Sequence, residues 1–210
     1  MTVFDIAAVP NSVSVASQGN TGLFPSPLIA SATTLDRGGQ KMKILLSYTN
    51  VDQDDRAEIL GLIFALRGQA NRLRVPVFDN PKRGAYGGTP LVDGASQTGS
   101  SLNLDGVSNV TNWIRRGDYL SVLVNGDQEL KVCTADATSS GGTVTVAFEP
   151  RLRASPANNA AVRVEDGTLA APAGVFVLEN SIQGWTSKPG KTSKLSDIAL
   201  ALIEDVFATQ

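Results

Sequence analysis

The run Gly117 to Arg153, GDYLSVLVNGDQELKVCTADATSSGGTVTVAFEPRLR, alternates apolar and polar residues between turn signals. Tyr119–Val124 puts Leu120, Val122 and Val124 on one face of a strand. Asn125-Gly126-Asp127 follows, and Asn-Gly is the strongest short hairpin signal because both central residues take positive φ readily. Leu130–Ala135 is the second strand of the run. Ser139-Ser140-Gly141-Gly142 reads as a flexible loop, and Thr143–Phe148 as the third strand, with Val144, Val146 and Phe148 on one face. Glu149-Pro150 ends it, since proline has no amide hydrogen to give to a ladder. A period of two sustained in this way predicts an antiparallel meander.

The flanking chain extends the β pattern. Ser12–Ala16 alternates serine and valine, Leu28-Ile29 follows a Phe-Pro-Ser-Pro turn, and Arg37-Gly38-Gly39 is a further turn signal. Lys41–Tyr48 is a half-buried strand with Met42, Ile44, Leu46 and Tyr48 on one side. Residues 52–68 form the convincing helix. Asp52 is its N-cap, Asp54, Asp55 and Glu58 place negative charge at the positive end of the dipole, and Gly68 is the C′ residue. Ile59, Leu62, Ile63 and Leu66 make its apolar stripe, widened by Leu60 and Phe64. Residues 72–79 read as another strand, on an edge because of Pro76.

Pro81–Gly88 is glycine-rich and poor in apolar residues, and marks a crossing into a second unit. From there to Thr168 the strand signals are Ser101–Leu104, Tyr119–Val124, Leu130–Ala135, Thr143–Phe148 and Ala161–Glu165. Short antiparallel strands in that number fit a small closed barrel, for which the five-stranded OB-fold is the common template. Leu169–Pro172 is the return crossing, followed by a strand at Gly174–Glu179 and by Trp185 in a turn region ended by Lys188-Pro189-Gly190. Lys194–Phe207 has enough Leu, Ala and Glu for a helix, but it also alternates, and its context favours a returning strand. The expected fold is mainly β. A discontinuous β-sandwich-type outer domain with one helix, residues 1–85 and 170–210, carries an inserted five-stranded OB-like barrel, residues 86–169.

Composition narrows the function. The chain has 210 residues, is 42% hydrophobic and 18% charged, and carries a net charge of −2. That composition suits a folded protein and gives no global field toward DNA or an anionic membrane. Histidine is absent, which removes the commonest general base and metal ligand. Cys133 is the single cysteine, so no internal disulfide or zinc cluster forms, and its apolar neighbours predict a buried thiol. Met1–Pro10 lacks the basic lead and apolar core of a signal peptide, and no apolar run approaches the roughly 20 residues that span a bilayer. No catalytic, cofactor-binding or metal-ligating residue is assigned, and no cofactor is expected.

The order of elements resembles a known family. Trp113, then Gly117-Asp118 opening a strand, a hairpin, and a strand ending in Glu149-Pro150-Arg151-Leu152-Arg153 resemble the barrel insert of some distal tail proteins of long-tailed phages. The outer segments resemble the same family. Arg37-Gly38-Gly39 precedes a strand, an acid-capped helix ends Ala65-Leu66-Arg67-Gly68, a strand runs to Phe78, and Val175–Glu179, Trp185 and a last strand near Glu204 close the chain. The resemblance implies a hexameric ring at the virion's tail tip, made in the host cytoplasm. That ring joins the tail tube protein to tip, hub or fibre proteins and encloses the DNA exit channel, with no specific nucleic-acid binding and no membrane. Larger members carry a galectin-like C-terminal domain. The chain runs only a short way past its last strand, so sugar binding through such a domain is not expected.

Other readings stay open at this level. Trp113, Arg115, Arg116 and Tyr119 lie close together, as in an OB barrel that stacks bases over a basic groove. Against it, residues 86–169 hold six basic and nine acidic residues, and Tyr119 and Phe148 fit as core. Trp185 in a loop would suit a carbohydrate-binding module. The carboxylate pairs Asp54-Asp55, Glu165-Asp166 and Asp127/Glu129 lie at a helix start, a strand end and a turn, where solvated acids are ordinary. Gly84-Ala85-Tyr86-Gly87-Gly88 lacks the lysine and helix of a phosphate loop.

Overall fold

The computed structural model describes residues 2–25, 31–78, 83–164, 171–187 and 195–205. In chain order the elements are β1 (Val3–Asp5), β2 (Ser12–Gln18), β3 (Thr21–Pro25), β4 (Ala32–Asp36), β5 (Lys41–Val51), α1 (Gln53–Leu66) and β6 (Arg72–Pro76). Then follow β7 (Gly88–Val92), β8 (Ser101–Val107), β9 (Tyr119–Val124), β10 (Asp127–Cys133), β11 (Val144–Glu149) and β12 (Val162–Arg163). β13 (Ala173–Leu178), β14 (Trp185–Ser187) and β15 (Leu195–Glu204) complete the chain. The expected features at Leu28-Ile29, Pro81-Lys82, Glu165-Asp166, Leu169-Ala170, Lys188-Pro189-Gly190 and Phe207 lie outside the described residues.

The fold is mainly β, with one helix among the described residues. A seven-stranded sheet runs β1-β6-β13-β15-β5-β2, with β14 also on β15. The last segment is therefore a strand, and it lies in the middle of the sheet. β5 covers one side of β15, while β13 and β14 share the other side end to end. The alternation expected in β5 holds, with Met42, Ile44, Leu46 and Tyr48 all buried. They meet Ile59, Leu62, Ile63 and Leu66 of α1 in one cluster, together with Leu73, Phe176 and Leu200. Asp52 caps α1 by accepting from the Asp54 and Asp55 amides at 3.1 and 3.0 Å. Arg67, φ 49°, takes the left-handed conformation at the C-cap ahead of Gly68.

Three outer expectations need correction. Pro76 does not mark an edge strand, because β6 lies between β1 and β13. The Arg72 amide points to β1, bonding Thr2 O, and the Val77 amide points to β13, bonding Pro172 O. By alternation the Pro76 nitrogen faces the β1 side, past the end of that strand, where no donor is needed. Phe64 does not widen the buried stripe. It is 70% exposed, with its ring edge-on to Trp185 at 6.1 Å, and Trp185 stands in β14 rather than in a turn.

The second sheet is a nearly closed barrel of six strands, in the order β12-β9-β10-β11-β8-β7. Closure comes from a bridge between Leu91 and Ala161 and from paired bonds of Val92 N–H to Ala160 O and Asn159 N–H to Val92 O. The strand absent from the sequence reading is β7. Gly87, Gly88 and Pro90 read as breakers, yet Pro90 falls at a register shift between Gly88 and Leu91 where the ladder is interrupted. Leu120, Val122 and Val124 face inward with Val144, Val146 and Phe148, as expected. The β9–β10 turn has Asn125 and Gly126 at φ 51° and 91°, the signs of a type I′ turn. Ser139–Gly142 is a tight turn and not a loose loop. Ser140 and Thr143 bridge each other, and the buried Ser139 hydroxyl donates to Ser108 O and accepts from the Val110 amide.

The sheets touch through the outer face of the β9–β10 hairpin. Leu130, 1% exposed, belongs to the cluster of the seven-stranded sheet, and Tyr119 and Val132 pack on it. Gly174 makes this approach possible. A Cβ there would lie 2.9 Å from the Leu130 Cβ and 2.8 Å from the Phe176 ring.

Candidate assembly surface

The residues with chemical potential inside the barrel are structural. Trp113 is fully buried, donates its indole N–H to Gly87 O at 3.0 Å, and meets Tyr86 edge-on at 6.0 Å. It is therefore closed to a stacked base, and so is Phe148, while Arg115 and Arg116 lie exposed without it. Asp118, at the opening of β9, is the hub of this region. Its Oδ2 accepts from the Gly84 amide at 3.1 Å, the Arg115 amide at 3.0 Å and the Tyr86 hydroxyl at 2.6 Å. These bonds pin the entering segment to the start of β9. Burial, reinforced by the Asp118 hydrogen bond and charge, raises the Tyr86 phenol. Burial first and the Asp118 charge second push the Cys133 thiol up to about 12. A thiol held neutral in this way is a packing group, not a nucleophile.

Three cations of the seven-stranded sheet, in β5 and β6, are paired with acids. Lys43 pairs with Glu179, Arg72 with Asp205, and Arg74 with Asp5. A second set lies at the seam between the sheets. Arg153 Nη2 is 2.7 Å from Glu204 Oε2, which also accepts the Met42 amide at 3.0 Å. Lys131, wholly buried, pairs with Glu129 at 2.8 Å and donates to Arg151 O at 3.1 Å. Asp127 sits nearby, its carboxyl raised by burial, with Arg74 opposing and Asp205 reinforcing the shift. Asp127 and Glu129 thus belong to a charge network that holds two sheets together. Asp54 and Asp55 serve the helix N-terminus. Among the described residues no group of three or more potential metal ligands converges, and no helix is long and apolar enough to cross a membrane.

What remains open is a sheet edge and its continuation. β2 is the terminal strand, paired to β5 alone, and nearly all of it is exposed. β3 and β4 extend the same hairpin beyond the sheet as a two-stranded arm, exposed along both strands except for the half-buried Gly22. Gly38 and Gly39, φ 66° and 74°, form the joint. The Arg151 guanidinium lies against Gly38, where any Cβ would collide with it. Leu23 is 66% and Phe24 52% exposed, and Leu35 is open as well. From Ile6 to Leu35 the chain has no Asp, Glu, Lys or Arg, where about five would be expected from its 18% charged content. That gap is legible in the sequence and is the signal that marks this surface. A smaller apolar patch joins Phe64, Ile182 and Trp185 around a groove of about 370 Å³.

The chain matches no protein-family model and no curated protein.

Proposed function

We propose that this chain is a structural subunit of a closed homo-oligomeric ring, and not an enzyme. More particularly, it is read as the distal tail protein of a long-tailed phage, of the type with an OB-like insert. Copies in a hexameric ring join the tail tube to the tip proteins and enclose the DNA exit channel. The observation that carries the reading is the uncharged, exposed edge strand β2 and its exposed arm, whose one charged residue is Asp36 at the base. Natural edge strands are blunted by charge, proline or cover unless they pair with another chain. Further support comes from the neutralised Lys43, Arg72 and Arg74, because a channel wall that lets DNA slide avoids clustered free cations. The division into an outer unit, 1–85 and 170–210, and an insert, 86–169, is part of the same proposal. The separate hydrophobic clusters support it.

Sedimentation of the purified protein over a range of concentrations tests the class. The reading expects a discrete species at a multiple of the 22.0 kDa chain mass. A second reading, a sugar-binding surface, is favoured by Trp185, 39% exposed beside Phe64. Tryptophan fluorescence during titration with host-surface sugars separates the two: saturable quenching supports sugar binding, and an unchanged spectrum leaves the patch to protein contacts.

A further inference from the structure

We infer that the β3–β4 arm of one copy lies along the β2 edge of the next copy, with its apolar side chains in the groove beside that edge. This deepens the ring reading and rests on it. Neither surface has a partner strand among the described residues beyond its own hairpin. An isolated two-stranded ribbon is marginal in water, so an arm exposed along both strands is expected to gain its order from something outside the monomer. The β2 edge offers a free row of backbone donors and acceptors of the kind that β-augmentation uses.

The chemistry of the two surfaces matches. β2 and β3 carry no charge, the arm's one charged residue is Asp36 at its base, and the groove beside β2 is flanked by Lys41 and Glu149, so the contact has few ions to desolvate. Beside β2 a groove of about 350 Å³ is lined by Val15, Met42, Tyr119, Val132 and Pro150. Its exposed lining is mostly apolar, with Ser17, Gln40, Lys41, Thr134 and Glu149 around it, and both sheets border it. The arm carries matching knobs. Gly22 and Leu35 are cross-strand partners on one face with Phe24 and Thr33, and Leu23 stands on the other. The chain thus contains both the ribbon and the slot that accepts it. The partner chosen on this ground is a second copy and not an unrelated protein. A nucleic acid would require clustered cations, and this groove offers Lys41 beside Glu149.

Arm and edge are different patches, so the contact is heterologous, and such contacts propagate head to tail until rotation closes a ring. The arm starts at the Gly38-Gly39 joint, beside which the Arg151 guanidinium of the barrel lies.

The test uses two full-length variants. L23S/F24S blunts the arm, and V15K charges the slot; all three residues are exposed, so the fold should survive, and circular dichroism checks that. In sedimentation equilibrium each variant alone should need at least about a tenfold higher concentration to assemble than the wild type. Mixed together, they retain one good interface, the V15K arm on the L23S/F24S edge. They should form a 1:1 dimer that grows no further. Wild-type assembly with both variants assembling equally well overturns the arm-and-edge contact while leaving the ring reading standing. A wild type that stays monomeric at every concentration overturns both. Arm-dependent flotation with uncharged phosphatidylcholine vesicles, with self-association unaffected by L23S/F24S, also overturns the contact and assigns the arm to a lipid surface.

Discussion

Arg153, just past the last long barrel strand, sets its guanidinium 2.7 Å from the carboxylate of Glu204, at the end of the central strand of the other sheet. Both side chains are largely buried, and Glu204 is held in turn by the Met42 amide. The barrel is therefore docked by a desolvated ion pair as well as by Leu130. Breaking one partner of such a pair leaves the other charge buried and unpaired, which typically costs about 3–5 kcal/mol.

Arg153→Met should lower the stability measured by urea unfolding by about 3 kcal/mol. Arg153→Met combined with Glu204→Gln should cost less than the sum of the single changes, because the second removes the charge that the first strands. Additive effects would show that the pair is not coupled.

Gly174→Ala tests the close approach of the sheets without any φ strain. The new methyl meets Leu130 and the Phe176 ring at 2.9 and 2.8 Å, so overpacking should destabilise by about 1–3 kcal/mol. Leu130→Ala removes the other side of the contact and should cost about 2–5 kcal/mol. Unfolding midpoints unchanged in both variants would mean that the sheets do not bear on each other there.

Asp52→Ala removes the acceptor for two helix amides and should cost about 1 kcal/mol, seen as a lower thermal midpoint. Asp52→Asn keeps an acceptor and should recover most of the loss. Equal losses in both would point to charge and not to the cap.

Much of this was legible where the information is local. The alternation of β5, β9 and β11 and the Ile59–Leu66 stripe each follow from which face must leave water. Asp52 and Asn125-Gly126 declare themselves because caps and tight turns depend on one or two residues. β7 was hidden because its pairing tolerates glycine and proline at a register shift. Pro76 misled because its neighbour β1 ends just short of it, which only the parallel pairing of Val3–Asp5 with Arg72–Arg74 reveals. The role of Asp118 is hidden for a similar reason: Gly84 and Tyr86, which it binds, lie more than thirty residues earlier in the chain. The uncharged stretch Ile6–Leu35 was visible throughout, but it gains meaning only once β2 is known to be the terminal strand.

Alkaline pH should weaken the fold. Burial raises the acid groups of Cys133, Tyr48 and Tyr86 above their ordinary values. When folded-state values lie above unfolded ones, the contribution is complete below the unfolded value and is lost as pH rises through the folded one. For Cys133 the window runs from an ordinary value near 9 to about 12. The thermal midpoint should fall steadily above pH 9, and native protein at pH 8 should resist thiol alkylation. Fast labelling of the native chain would contradict the burial of Cys133.

The most direct measurement is electron microscopy of the purified, concentrated protein. The account predicts closed six-fold rings with the seven-stranded sheets around the channel and the barrels on the periphery, and the same ring at the tip of phage tails. A particle that stays monomeric at every concentration and binds single-stranded DNA tightly would contradict it.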